Sequence, residues 1–346
     1  MRLLHTADLH LKKGEEKRLE VFAWLLERAT ELKTDYFIIA GDFFDSDSEA
    51  TILRQEVRRM CESMTYKFLI IPGNHDAQSF GPQYEYGSNV IQLTEKPFQL
   101  LQSGGLRICG VPYVDTKFSE SAKDMPHDID LLIAHGTLYD RSFIFSLLED
   151  QETRYMPIFP VDLENVARYV AMGHLHTTCI ELRYEKTRAV YPGSPLAIDS
   201  KCVGARYFFL LDIDENNLKA EKHEVEVAAY WLTKEFFVYP GVERTVLAGI
   251  EDHLRKISDA RVMPNITVSG YIGEGEKEFL NLLAGIQKSH VNRFPDFRMS
   301  TGIQSWDKLM TNPLIQNFVK RTEGLGDELR LKVFEITFPI FSRLLR

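Results

Sequence analysis

MRLLHTADLH, residues 1–10, sends a short apolar strand, Arg2–Thr6, straight into a carboxylate and an imidazole two positions apart, Asp8 and His10. The arrangement recurs further on. Phe37–Ala40 leads into Gly41-Asp42, Phe68–Ile71 into Gly73-Asn74-His75, Leu131–Ala134 into His135, and Val170–Met172 into Gly173-His174-Leu175-His176. Short apolar runs closed by glycine or proline fit buried strands. Helical spacing lies between them: Glu15–Lys33 aligns Leu19, Phe22, Leu25, Leu26 and Ala29, and Thr51–Met64 aligns Ile52, Leu53, Val57 and Met60 as a core face. Leu106–Val111, Ala189–Tyr191 and Tyr207–Ile213 read as further strands. Buried strands alternating with helices predict an α/β sandwich, sheet inside and helices outside. Ligand sites in open α/β sheets gather beyond the carboxyl ends of strands. Polar clusters far apart in the chain are therefore expected to converge on one spot.

The rest of the 346 residues narrows the possibilities. No apolar run approaches the roughly 20 residues a membrane span needs, and no charged-then-apolar leader opens the chain. The four cysteines (Cys61, Cys109, Cys179, Cys202) contain no CxxC pair, so reduced thiols in a cytoplasmic protein are expected. A net charge of -9 argues against holding nucleic acid by bulk positive potential. The distribution is uneven: residues 1–225 carry 25 Lys/Arg against 35 Asp/Glu, and residues 226–346 carry 16 against 15. The texture also changes near residue 226. Strands over Phe236–Tyr239, Ile266–Ile272 and Phe297–Thr301, helices over Glu243–Ile257 and Glu276–Ser289, and a helical tail from Trp306 predict a smaller α+β module without strand-end His/Asp clusters. Two domains are expected, 1–225 and 226–346.

Each candidate ligand is weak alone, since a strand-end histidine or an Asp after Gly commonly serves a turn. The ordered set D-x-H, G-D, G-N-H-D, H-G and G-H-x-H is what carries weight. Donor counting gives Asp8, His10 and His176 for one divalent ion and Asn74, His135 and His174 for a second, with Asp42 shared between ions about 3.5–4 Å apart. Two carboxylates against two dications leave roughly +2, which attracts phosphate and acidifies a shared water toward hydroxide near neutral pH. Mixed N/O ligation without Cys suits manganese, iron, zinc or cobalt better than magnesium or calcium. Gly41, Gly73 and Gly173 would let the backbone turn tightly beside the ligands. No phosphate loop of the G-x-x-x-x-G-K-[ST] type is present, so ATP hydrolysis by that route is excluded.

Taken together, Asp8-x-His10, Gly41-Asp42, Gly73-Asn74-His75-Asp76, His135-Gly136 and Gly173-His174-Leu175-His176 resemble the calcineurin-like metallophosphoesterase superfamily. More narrowly, the N-terminal HTADLH, the GDFFDS segment and Pro192-Gly193-Ser194-Pro195 resemble the SbcD-type nuclease subunit of double-strand-break repair. The resemblance implies a four-layer α/β/β/α sandwich with a DNA-capping domain over residues 226–346. It implies two divalent metals, manganese first, with iron, zinc, cobalt or magnesium as alternatives. DNA as substrate, an SbcC-type ABC ATPase partner, a homodimer and no membrane association follow from it as well. It makes His75 the group that protonates the leaving oxygen rather than a ligand. It also points to Asp45, whose carboxylate would orient His75, with Asp76 as the other candidate partner or a turn-closing residue.

The leading expectation is thus a two-metal DNA phosphodiesterase, exo- or endonucleolytic. A small-phosphodiester or phosphoprotein hydrolase and a DNA-end-binding scaffold are the alternatives. His5 is expected to pack beneath the site. Tyr84 and Tyr86 either stack on bases or pack locally. The apolar residues of the tail (Leu314, Phe318, Leu329, Phe334, Phe338) either form core or dock a partner.

Overall fold

In a computed structural model of the chain, which describes residues 1–141, 155–177 and 179–344, the N-terminal strand β1 (Arg2–Thr6) sits in mid-sheet. On one side it pairs in parallel with β2 (Tyr36–Ala40), followed by β3 (Lys67–Ile71) and the short β4 (Val90–Gln92). On the other it pairs antiparallel with β11 (Tyr207–Ile213), and β12 (Leu218–Glu224) closes that edge. A second six-stranded sheet runs β5 (Gln99–Ser103), β6 (Leu106–Val111), β7 (Ile129–His135), β8 (Ala167–Gly173), β10 (Thr187–Tyr191), β9 (Ile180–Tyr184). Its four inner strands are parallel and its two edges antiparallel.

Strand alternation sorts the apolar side chains into layers. Leu3, Ile38 and Leu69 of the first sheet meet Ile108, Ile133, Tyr169 and Val190 of the second in one buried cluster between the sheets. Their neighbours Leu4, Phe37, Ile39 and Phe68 face outward and pack under Phe22, Leu25, Leu53 and Val57 of helices α1 (Glu16–Glu31) and α2 (Asp47–Glu62). The outer face of the second sheet packs Leu132, Val170 and Met172 against Phe118 and Leu163, from the single-turn helices α3 (Phe118–Ser121) and α4 (Pro160–Leu163). The layers are helix, sheet, sheet, helix, the last one thin among the described residues. His5 lies in the central layer, its Nδ1 3.1 Å from the Tyr169 hydroxyl. Burial pushes its imidazole down to about 3, so it is neutral.

Two details depart from the sequence reading. Helix α2 starts four residues earlier than the periodicity predicts, because Ser46 caps it by accepting from the Glu49 N–H at 3.3 Å. Ile52 is 53% exposed rather than core, and Leu53 and Val57 fill the buried face.

The chain divides into two units, Met1–Tyr230 and Trp231–Arg346. The second contains a three-stranded sheet of β13 (Tyr230–Val238), β14 (Val262–Ile272) and β15 (Arg298–Ser305), the last two parallel. Helices α5 (Glu243–Lys256) and α6 (Glu276–His290) bury Ile250, Leu254, Phe279 and Leu283. The tail forms α7 (Trp306–Leu309), α8 (Pro313–Thr322) and α9 (Asp327–Leu344); residues 345 and 346 lie outside the described residues. Phe334 and Phe338 of α9 are core, packed with Tyr239, Tyr271 and Ile315. Leu314, Leu329, Ile336 and Ile340 are exposed. Among the described residues no helix is long and apolar enough to cross a membrane.

If the inter-sheet layer is the main core, Ile133→Ala should cost about 2–5 kcal/mol in a denaturant titration. Leu100→Ala, at a half-exposed position of edge strand β5, should stay within about 0.5 kcal/mol. Equal losses would place the core elsewhere.

Candidate metal centre

The strand ends are tied together by the candidate ligands' own backbone and side chains. Asp8, His10 and Asp42 adopt left-handed φ angles of 55°, 46° and 46°, a conformation that non-glycine residues rarely hold without outside support. The support is on hand. Asp8 N–H donates to Gly41 O at 3.1 Å and His10 N–H to Asp42 O at 3.0 Å, so the loops after β1 and β2 run side by side. His174 N–H donates to the Asp8 carboxylate at 2.9 Å, crossing from the second sheet to the first. His75 N–H donates to Asp42 Oδ1 at 2.9 Å. Buried Asp76 accepts from Gly73 N–H at 2.9 Å and Phe44 N–H at 3.0 Å, which makes it the turn-closing residue. Burial, with Asp42 nearby, raises its carboxyl to about 7 despite those two donors. A side chain at position 173 has no room, since a Cβ there would lie 1.8 Å from Ala40 O.

All seven expected ligands come together, in two groups. Asp8, His10, Asp42 and His176 place ligand atoms within 4.8 Å of one another, and so do Asp42, His135 and His174. Asp42 belongs to both. His10 Nε2 and His176 Nε2 are 3.0 Å apart. Asn74 Oδ1 lies 3.0 Å from both His135 Nε2 and His174 Nδ1, which adds it to the second group. Whether these groups fit cations is tested by Asp42 Oδ2, which is fully buried and accepts no hydrogen bond. His135 Nδ1 donates to Ala40 O at 2.9 Å, leaving the Nε2 lone pair 3.3 Å from that oxygen. Two buried acceptors facing each other need a positive charge between them.

Without cations, a proton takes that place. Burial disfavours charge on His135, but Asp42 outweighs it and raises the imidazole to about 9. Burial likewise works against Asp42 ionising, and His135 and His10 hold it well below the usual carboxylate range. Asp8 has weaker support, and burial raises it to about 6.

One expectation is corrected. His75 is exposed, and its Nδ1 bonds at 2.9 Å to the main-chain oxygen of Asp45, not to the carboxylate. The Asp45 carboxylate is occupied by Lys12 at 3.0 Å and Arg18 at 3.0 Å. Tyr84 and Tyr86 pack locally: Tyr86 is buried, and Arg54 lies 4.2 Å over the Tyr84 ring. Two arginines escape a reading of the sequence. Buried Arg206 donates to the main-chain oxygens of His176, Thr177 and Ser194, fixing the loop that carries His176. Arg18 donates to His10 O and to Asp45. Arg18 sits at the foot of a predicted helix, where a charged residue reads as solvated; no sequence signal separates it from its neighbours.

Residues 1–178 match the calcineurin-like phosphoesterase family. The chain is 28% identical over 273 residues to the DNA double-strand break repair protein Mre11 of Methanopyrus kandleri, covering 66% of this chain and 57% of that protein. It is 24% identical over 269 residues to the SbcD component of the SbcCD nuclease of Escherichia coli K12, covering 64% of this chain and 67% of the relative. The chain thus spans little more than half the length of the archaeal relative. A dimetal phosphatase from Danio rerio is similar in structure at a TM-score of 0.44 and 7% identity, over 65% of this chain and 96% of that one. The family match takes in every strand end that carries a donor, from Asp8 to His176, and the chain belongs to the calcineurin-like phosphoesterase family.

Proposed function

We propose that the chain is a two-metal phosphodiesterase that cuts DNA, as a homodimer in the cytoplasm beside an SbcC-type ATPase. The observation that carries the hydrolytic part is Asp42, common to two donor groups and holding a buried oxygen without a hydrogen bond. Asp8, His10 and His176 would hold one divalent cation and Asn74, His135 and His174 the other, with Asp42 between. Such a pair supplies Lewis-acid polarisation of a phosphoryl oxygen and lowers the pKa of water. The thiolate-free mixture of imidazole, carboxylate and amide donors suits manganese, iron, zinc or cobalt better than magnesium or calcium, and manganese is put first on the resemblance to the SbcD-type subunit.

The protein's own groups do the rest. Asp8 and Asp42 place only two negative charges in the centre, so a phosphate is attracted once cations are bound. His75 keeps Nδ1–H on Asp45 O, which leaves Nε2 to protonate the leaving oxygen. DNA as substrate is supported by the two named relatives, a DNA double-strand break repair protein and a nuclease subunit, and the ATPase partner rests on the resemblance of HTADLH, GDFFDS and Pro192-Gly193-Ser194-Pro195 to the SbcD-type subunit. The near-neutral charge of residues 226–346 supports their role in gripping the backbone, with apolar Ile336 and Ile340 of α9 open for a partner. The cysteines are free, three of them buried, which suits a reducing compartment.

Manganese-loaded protein should cleave linear duplex, and that rate should fall steeply with salt as phosphate contacts are screened. Cleavage of a chromogenic diester should respond little. Turnover of the small diester alone would favour the small-substrate reading instead. Anomalous scattering from manganese-soaked crystals should show two peaks a few ångströms apart, with Asp42 touching both. His176→Ala should keep the peak beside His135 and lose the other.

Cation uptake should also release protons. His135 holds one below about pH 9 in the cation-free protein, so affinity should rise with pH up to about 9 and level off above it. The same proton contributes stability to cation-free protein that is fully present below about 6.5 and lost as pH climbs through about 9. Calorimetry in two buffers of different ionisation enthalpy measures the release, and a value of zero at pH 7 would contradict it.

A further inference from the structure

We propose that Arg18 is a positioning residue for His75, acting through the main chain of Asp45. The inference rests on the reading of His75 as the group that protonates the leaving oxygen, and the experiment separates the two.

Arg18 stands in the first turn of α1 and is 8% exposed. Its Nη1 reaches two partners, the main-chain oxygen of His10 and Asp45 Oδ1 at 3.0 Å. Lys12 Nζ holds the other carboxylate oxygen at 3.0 Å, and the Asp45 N–H donates to Leu11 O at 3.1 Å. Residue 45 is thus pinned through its N–H and both carboxylate oxygens, and its carbonyl direction follows. That carbonyl receives the His75 Nδ1–H. One buried guanidinium therefore joins the loop of His10 to the peptide that sets the His75 ring.

The arrangement has an electrostatic logic. A buried arginine beside a centre that collects cations is unfavourable unless it is neutralised. Asp45 neutralises it, and the pairing also keeps that carboxylate from competing for imidazoles, since Oδ1 is only 3.7 Å from His10 Nδ1. With Arg18 gone, Asp45 is held only by Lys12 and its own N–H, and the carbonyl loses its fixed direction.

In the step concerned, the oxygen of water adds to phosphorus and the P–O bond to the leaving group breaks, its electron pair going to the leaving oxygen. The proton on His75 Nε2 completes the alcohol, and the water consumed returns a proton to the imidazole. A nucleoside alkoxide needs that proton; p-nitrophenolate does not. A misdirected His75 therefore slows only the poor leaving group.

The test compares thymidylyl-thymidine, which leaves as a nucleoside, with the p-nitrophenyl ester of thymidine 5′-phosphate, both with manganese-loaded full-length protein. Arg18→Met should lower kcat on the dinucleotide about 10- to 100-fold, the scale of a misplaced reacting group. It should leave the p-nitrophenyl ester unchanged, which also reports an intact fold and centre. Arg18→Lys should recover most of the loss. Asp45→Asn removes the charge that neutralises Arg18 and one of the two oxygens held by Arg18 and Lys12, so it should show the same selective loss on the dinucleotide as Arg18→Met. Long-range proton–nitrogen spectra of cation-free protein give a readout independent of turnover: His75 should carry its proton on Nδ1 in the original protein and lose that preference in Arg18→Met and Asp45→Asn.

Equal losses on the two esters, or an unchanged His75 tautomer in Arg18→Met, would overturn the assignment while leaving the acid role of His75 intact. An Asp45→Asn loss well beyond that of Arg18→Met, and as large as that of His75→Ala, would restore a carboxylate–imidazole pair and overturn it too. If His75→Ala itself shows no difference between the esters, the acid reading fails and the role of Arg18 falls with it.

Discussion

A buried carboxylate oxygen that accepts no hydrogen bond is among the least favourable things a protein interior can contain. Asp42 Oδ2 is one, and much of the molecule is arranged around it. The other oxygen of the same group accepts from the His75 N–H, its backbone oxygen from the His10 N–H, and its charge holds a proton on His135. Four of the five strand ends thus answer to one residue. The fifth, that of β8, joins through Asp8, whose carboxylate takes the His174 N–H. A charge kept at this point needs a positive partner, and in the cation-free protein the proton on His135 supplies it.

The sequence made the inner strands easy to see and the outer ones hard. A strand buried on both faces is apolar at most positions, so β1, β2, β3, β6 and β7 announce themselves. The edges β5, β9 and β12 bury one face at most and read as polar chain. The hairpin of β11 and β12 did leave a trace, since Asp214 accepts from the N–H groups of Asn216 and Asn217 as turn residues do. All the donors lie on strand ends, which is why they were legible. What surrounds them was not, because the groups involved are main-chain atoms: the Asp45 carbonyl under His75, the Ala40 carbonyl under His135, the His176 carbonyl on Arg206. Every residue has a carbonyl, so composition and spacing carry no sign of which ones are used. The carboxylate of Asp45 was expected to do what its backbone does.

A similar economy runs through the acidic residues of the centre. Asp76 fastens the GNHD turn to the chain after β2. Asp45 absorbs the charge of Arg18 and Lys12. Of four carboxylates close to the histidines, two, Asp8 and Asp42, belong to the groups that could hold cations. Holding the other two away keeps the centre cationic when loaded, which a phosphate requires.

Neither group of donors belongs to a single sheet. Asp8, His10, Asp42 and Asn74 follow strands of the first, and His135, His174 and His176 follow strands of the second. The separation between the groups' two halves is therefore set by the thickness of the apolar layer between the sheets, where Ala40 and Ala171 sit among Ile38, Leu69, Ile133 and Tyr169. Ala40, the last residue of β2, and Ala171, near the end of β8, are small members of that layer. The hydrocarbon layer works as a caliper: the volume of a few buried methyl groups, none of them touching a reactant, fixes the gap across which two positive charges must be held.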